Sequence, residues 1–197
     1  YFDGGILRQV KRGYFNPLEL FAYKLLKIKL FVWTYGSDVR TQKVTHKLGE
    51  PNCCTDCIQV GKACVCNDDI GVNNFKKVSS VATQIFSMGD MIEYTPKSNN
   101  EVFFWPIDLE ANFGKRYTPH FPQKNTYTTL NIVHAPNHRE FKGTKYLEKA
   151  VKELQLEGFD LELVLVEKMS NSDALNMYKK ADIIFDQCLI GFYGYFA

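Results

Sequence analysis

Between residues 130 and 185, short apolar runs alternate with segments of helical periodicity, and this alternation restricts the fold more than any other feature of the sequence. Apolar runs at 130–135, 161–166 and 183–185 have the length and composition of buried strands. Leu147, Ala150, Val151 and Leu154 form a helical stripe before Gly158, and a second helix is predicted after Ser170. The order strand, helix, strand, helix, strand predicts an α/β unit with a parallel sheet and right-handed crossovers.

The first half of the chain shows a similar but less regular pattern. Asn16-Pro17 is typical of a helix start, because Asn caps well and Pro fits the first helical position. The predicted elements are a helix from about Pro17 to Lys27, a strand at Leu30–Tyr35, a helix capped by Asn73 or Asn74 and running to about Gln84, and strands at Ile85–Met88 and Val102–Trp105. Four prolines fall between residues 96 and 122, and weak periodicity predicts an interdomain linker at about 107–128.

Charge and hydrophobicity exclude several classes of protein. The net charge is +2 with no block of like charges, so nucleic acid is not an expected partner. No apolar run reaches the roughly 18–20 residues of a membrane span, and the sequence has no signal peptide, so no transmembrane segment is predicted. We therefore expect a cytoplasmic protein. The chain starts at Tyr1 rather than Met and ends in an apolar run, which favours an internal piece of a longer protein.

Five of the six cysteines lie between residues 53 and 66. Cys54 and Cys57 form a Cys-x2-Cys pair, and Cys64 and Cys66 form a Cys-x-Cys pair six residues later, with Cys53 as a spare. Four thiolates at this spacing can close a tetrahedral zinc site. Reduced buried cysteines and disulfides are open alternatives, and each of the three interpretations gives the region a structural role.

The loop after the strand at 130–135 combines polar and basic side chains just before a helix. Asn137, His138, Arg139 and Lys142 lie there together with backbone N–H groups of the helix start. Such N–H groups and the helix dipole favour negative charge, so the loop predicts an anion site with phosphate as the first candidate. The segment Gly36–Arg40 follows another predicted buried strand. Open α/β sheets place ligand-binding groups just past the carboxyl ends of their strands, so this segment is a second candidate binding loop. Its alternative role is a turn in which Asp38 caps the next helix.

Several short motifs of the second half occur together at characteristic distances. They are His134-Ala135-Pro136-Asn137-His138-Arg139-x-x-Lys142-Gly143-Thr144, Tyr178-x-x-Ala181-Asp182-Ile183, Asp186-Gln187 and Gly191-Phe192-Tyr193-Gly194. With these motifs, the segment from Asn131 to Ala197 resembles the start of the donor-binding domain of a family 4 glycosyltransferase. Upstream, Tyr35–Arg40 and Phe104–Leu109 are similar to a loop and an interdomain signal of the same family.

The resemblance implies two Rossmann-like domains of the GT-B type facing across a cleft, both incomplete in this chain. Residues 1–128 would form the acceptor-side domain with a Cys-rich insertion at 53–66, and residues 129–197 the donor-nucleotide domain. It implies transfer of a sugar from a nucleotide-diphosphate donor to a glycan or lipid-linked acceptor, with retention and without a catalytic cofactor. Peripheral contact with the inner face of a membrane is compatible with such an acceptor. We expect little activity from this piece alone.

The resemblance also implies the binding residues. The donor diphosphate would be held by Lys142, Arg139, Asn137 and His138; the donor sugar and nucleotide loop would be Gly191, Phe192, Tyr193 and Gly194; the acceptor-side cleft would include Gly36, Ser37, Asp38 and Arg40. Three positions depart from the family pattern: Asn137 replaces its usual Arg, Gly191 stands near the place of its first glutamate, and Tyr35 stands where many members have His. The sequence identifies no catalytic residue, and a non-catalytic, zinc-stabilised binding or scaffold module is the alternative.

Overall fold

The computed structural model describes residues 16–34, 36, 39–58, 67–101 and 128–192. The chain divides into two compact units, Tyr1–Phe103 and Phe104–Ala197. The predicted strand at 102–105 and nearly all of the predicted linker lie outside the described residues. The proposed domain boundary at 128/129 therefore stays a prediction.

The first unit is mixed α/β with a two-stranded parallel sheet. Strand β1 pairs with β2 in the register Phe31↔Gln84 to Trp33↔Phe86. A hydrophobic core cluster of this unit contains Val39, Met91 and Tyr94, against which Val44 and Phe75 pack. The elements are α1 (Pro17–Leu25), β1 (Phe31–Trp33), α2 (Gln42–Leu48), α3 (Asp68–Ser79), β2 (Gln84–Phe86) and α4 (Met91–Tyr94).

Capping explains where two of these helices begin. The Asn16 side chain accepts the N–H of Leu18 at 3.1 Å, which confirms the predicted start of α1. For α3 the prediction was wrong, because the helix begins after Asn67 and ends at Ser79. The Asn67 side chain accepts the N–H groups of Asp69 and Ile70 at 2.9 and 3.1 Å. Asn67 thus caps the helix about two turns earlier than predicted.

The second unit contains the strand, helix, strand, helix, strand order that the sequence predicts. All of its described strands are parallel and the sheet order is β4-β3-β5. A one-turn helix, α5, precedes the long helix α6. The elements are β3 (Leu130–His134), α5 (Arg139–Lys142), α6 (Thr144–Leu156), β4 (Leu161–Leu165), α7 (Asn171–Tyr178) and β5 (Ile183–Ile184).

Strand β3, the middle strand of this sheet, is covered on both faces, whereas Ile183 and Ile184 of β5 are exposed and not buried as the sequence predicts. Ile132 packs with Leu147 and Val151 of α6, whereas its neighbour Val133 packs with Ala174 of α7. Successive side chains of a strand point to opposite faces, so these clusters place α6 and α7 on opposite sides of β3. Full burial of a valine, leucine or isoleucine side chain, compared with leaving it exposed, contributes roughly 1.5–3 kcal/mol. The double cover explains why Ile132 and Val133, which point to opposite faces, are both apolar.

The end of α6 also agrees with the sequence. Gly158 has φ +97°, its N–H donates to Gln155 O, and Phe159 N–H donates to Leu154 O, both at 3.1 Å. These two hydrogen bonds are those of a Schellman motif, which confirms Gly158 as the residue that ends the helix. In the described parts of the chain, none of the helices has the length and apolarity required to cross a membrane.

Candidate functional site at the carboxyl ends of the second sheet

Strand β3 lies between β4 and β5, so the chain reverses direction across the sheet after β4. The segment after β3 leads to β4 on one side, and the segment after β4 leads back to β5 on the other. In open parallel sheets, ligands bind outside the carboxyl ends of the strands where this reversal occurs. The predicted anion loop follows β3, and the motif that begins at Asp186 follows β5, so both occupy this position.

An ion pair joins these two segments. Lys142 Nζ lies 2.7 Å from Asp186 Oδ1, and the two side chains are 15% and 8% exposed. The backbone N–H of Cys188 donates to the carbonyl of Lys142 at 3.3 Å. The predicted phosphate ligand Lys142 is therefore at the switch point, but its charge is balanced by a carboxylate that the sequence analysis did not assign.

Arg139 is held on the opposite flank of β3. Its Nε donates to Glu167 Oε1 at 2.8 Å, its Nη2 to Glu167 Oε2, and its Nη1 contacts Glu148 at 3.4 Å. Glu167 follows β4, whereas Asp186 follows β5. The hydrogen bonds from Arg139 lower the pKa of Glu167. The structure thus directs the two predicted cations to carboxylates on different sides of β3.

The other two predicted anion ligands, Asn137 and His138, are exposed. His138 occupies the N-cap position of α5, without a side-chain capping hydrogen bond. The sequence predicts one continuous helix start after this loop, but the structure inserts the single turn α5 and then Gly143. The first residue of the long helix is therefore Thr144, and Lys142 lies just before its amino-terminal end.

Gly143 permits this change of direction. Its φ is +79°, and an added Cβ would lie 2.5 Å from Cys188 Sγ and 3.1 Å from Leu189 Cγ. Its carbonyl accepts the N–H of Tyr146 at 3.0 Å within the first turn of α6. A left-handed backbone and close packing against the segment after β5 both require glycine here.

A buried histidine connects the three elements that meet at the site. His134 Nδ1 lies 2.8 Å from Phe185 O, and His134 Nε2 lies 2.8 Å from Thr144 Oγ1. Because a carbonyl only accepts, Nδ1 carries the proton and the Thr144 hydroxyl donates to Nε2. His134 and Thr144 are 0% and 1% exposed. Neither residue is assigned a role from the sequence alone, because the link depends on Phe185, which is 51 residues from His134.

Burial lowers the pKa of His134 below its ordinary value of 6.5. The unfolded chain therefore binds a proton that the folded chain excludes, and we expect stability to fall as the pH decreases through 6.5. Each unit by which the pKa is lowered corresponds to about 1.4 kcal/mol. Urea unfolding between about pH 7 and pH 5 measures this loss. His134→Gln should weaken the pH dependence, because it removes the group that titrates.

The segment after β5 is organised around one side chain. Gln187 Nε2 donates to Ile190 O at 2.7 Å and to Phe192 O at 2.8 Å, and its Oε1 accepts the N–H of Ile190 at 2.7 Å. These bonds close the loop that contains the predicted residue Gly191. Tyr193 and Gly194, also predicted for the donor loop, lie outside the described residues.

In the first unit, the predicted acceptor-side segment follows β1. The carbonyl of Gly36 accepts the N–H of Arg40 at 2.8 Å, and the Arg40 side chain is 5% exposed. Its guanidinium lies 5.5 Å from the Tyr94 ring centre and 3.8 Å from Asp90 Oδ2. Arg40 is therefore packed inside the unit, and its place in an acceptor-side cleft stays a prediction. Ser37 and Asp38 lie outside the described residues.

Three of the clustered cysteines are described, and all three are reduced. Cys53 and Cys54 are buried, and Cys57 is partly exposed. A hydrogen bond from Cys53, opposed by burial and assisted by the charge of His46, lowers the pKa of Cys54 to about 6. Cys64 and Cys66 lie outside the described residues. Among the residues that the structure describes, no three His, Cys, Asp or Glu side chains form a group that could hold a metal ion. The zinc site stays a prediction.

Comparison of the chain with protein-family models, with curated proteins and with solved structures finds no match. The position and contacts of the site residues therefore provide the support for a function.

Proposed function

We propose that the chain forms part of a retaining glycosyltransferase of the GT-B type. In this proposal it transfers a sugar from a nucleotide-diphosphate donor to a glycan or lipid-linked acceptor. The main support is the position of Lys142, a mostly buried cation at the switch point of a parallel sheet and directly before the long helix α6. Two Rossmann-like domains, residues 1–128 and 129–197, are part of the same proposal.

The proposed role of Lys142 follows from the charge changes of glycosyl transfer. As the glycosidic bond breaks, the departing nucleotide diphosphate gains negative charge. A fixed ammonium group and the positive end of the α6 dipole stabilise that charge more in the transition state than in the bound donor. Phosphate oxygens would replace the Asp186 carboxylate as the partner of Lys142. In the first unit, buried Arg40 would support the acceptor-side segment that contains Gly36.

A second candidate function is a non-catalytic binding or scaffold module of glycosyltransferase-like fold. The observation that favours it is the neutralisation of both predicted cations, because Asp186 pairs with Lys142 and Glu167 pairs with Arg139. An incoming anion would have to displace these carboxylates. In this alternative the Cys-rich segment would stabilise the module, with zinc as its structural metal.

Calorimetric titration of the chain with UDP, GDP and ADP tests the donor site. We expect saturable binding of at least one nucleoside diphosphate, with higher affinity than inorganic phosphate. High salt should weaken the binding, because ionic contacts that reach solvent are screened. If none of the three nucleotides binds, the second candidate is favoured. A nucleotide that binds then identifies the nucleotide sugars whose cleavage can be measured as release of that nucleotide.

A further inference from the structure

The turn Cys54–Cys57 brings two reduced cysteines close together. The N–H of Cys57 donates to the carbonyl of Cys54 at 3.4 Å. A hydrogen bond between the first and fourth residues is that of a β-turn, whose terminal Cα atoms lie within about 7 Å of each other. Disulfides join residues whose Cα atoms are about 4.4–6.8 Å apart. The backbone therefore already holds the two cysteines near the separation that a disulfide needs.

Asn52 fixes the conformation of this turn before any bond forms. Its side-chain oxygen accepts the N–H of Cys54 at 2.8 Å, and its backbone carbonyl accepts the N–H of Thr55 at 3.0 Å. Its side-chain NH₂ donates to Gly49 O at 2.8 Å, which attaches the turn to the end of α2. Asn52 is itself buried. Because the turn is ordered by these bonds, closing it requires little loss of backbone entropy.

The cysteines differ in access to solvent. Cys57 is partly exposed, whereas Cys54 is 7% and Cys53 is 2% exposed. A small thiol-reactive molecule therefore reaches Cys57 first. Cys54 begins the same turn, where the hydrogen bond from Cys57 holds the two residues together. The form of a cysteine that attacks a disulfide is the thiolate.

We propose that Cys54 and Cys57 are a redox-reactive thiol pair, which a low-molecular-weight disulfide oxidises to a disulfide that closes this turn. The Cys57 thiolate attacks one sulfur of the external disulfide, forms a mixed disulfide and releases one thiolate. The Cys54 thiolate then attacks the Cys57 sulfur and releases the second thiolate. The two protein thiols lose two electrons and two protons, and the external disulfide becomes two thiols. The pair lies in the first unit, whereas the proposed donor site lies in the second.

The test uses reduced wild-type protein exposed to glutathione disulfide at neutral pH, alkylated with N-ethylmaleimide and mapped by peptide mass spectrometry. In the reduced protein both Cys54 and Cys57 should be alkylated. After oxidation, both should lose alkylation, and their peptide should lose the mass of two hydrogens. Cys188 is the internal control, because it is exposed and lies in the other unit. It should not join either cysteine in a disulfide.

Matched variants identify the bond. Cys57→Ser should abolish the disulfide and leave Cys54 open to alkylation or joined to glutathione. Cys53→Ser should form the disulfide as the wild type does. A disulfide from Cys54 to Cys53, Cys64 or Cys66, or alkylation of both cysteines after oxidation, would overturn the proposal. Failure of Cys54 and Cys57 to react in the reduced protein, accompanied by bound zinc, would overturn it as well.

Discussion

Replacing Gly143 with alanine is expected to lower the free energy of unfolding by about 2–4 kcal/mol. Two effects add at this position. The backbone has φ +79°, which is strained for any residue with a Cβ, and the new Cβ would lie 2.5 Å from Cys188 Sγ. Relief of that contact requires the side chains of Cys188 and Leu189 to move, and both belong to the segment after β5 that forms one side of the candidate site. Urea unfolding followed by circular dichroism measures the loss.

Gly158 provides a matched control, because it has φ +97° but no atom within 4 Å of an added Cβ. Gly158→Ala should therefore cost only the backbone strain, about 1–2 kcal/mol. The double variant Gly143→Ala/Cys188→Ala removes the contacting sulfur and should recover part of the loss, which a double-mutant cycle measures. Equal losses for Gly143→Ala and Gly158→Ala would contradict the predicted role of close packing.

Lys142→Gln is expected to weaken binding of a nucleoside diphosphate by roughly 10- to 100-fold, since hydrogen bonds to charged groups contribute about 1.5–3 kcal/mol. The substitution removes the ammonium that the proposal places on the diphosphate. Asp186→Asn should have the opposite effect, because it removes the carboxylate that lies 2.7 Å from Lys142 Nζ. Titration calorimetry of the wild type and both variants measures these changes.

Lys145→Gln is the control for charge. It removes one positive charge from the first turn of α6, where Lys145 Nζ lies 4.9 Å from the Tyr146 ring centre. We expect its affinity for the nucleotide to change by less than about threefold, as for an exposed charge. If Lys142→Gln and Lys145→Gln weaken binding equally, Lys142 is part of a general positive field and not a specific ligand. Thermal unfolding checks that each variant folds, because Asp186 is mostly buried.

The strands of the second unit were the most predictable part of the fold. Strands covered on both faces need apolar side chains at nearly every position, and this leaves a direct signal in the sequence. Helix ends were predictable where one residue determines them: Asn16 begins α1 and Gly158 ends α6. The start of α3 was predicted wrongly because three asparagines, Asn67, Asn73 and Asn74, lie within eight positions. Each is a good cap, and local preference does not choose among them.

The candidate site was predictable in position but not in its internal contacts. A basic loop after a buried strand indicates an anion site, and the structure places that loop at the switch point of the sheet. Its partners are distant in sequence: Asp186 is 44 residues from Lys142, and Phe185 is 51 residues from His134. Such pairs depend on the strand order, which periodicity does not encode.

Local sequence patterns therefore specify the α/β class, the parallel strands of the second unit and the loop in which Lys142 lies. These features depend on interactions between residues that are near in sequence, such as alternation, capping and helix periodicity. Local patterns do not specify the order β4-β3-β5, the pairing of Lys142 with Asp186 or the burial of Arg40. These features depend on packing between distant segments, because that packing determines which strand ends meet and whether a cation faces solvent, a ligand or a carboxylate.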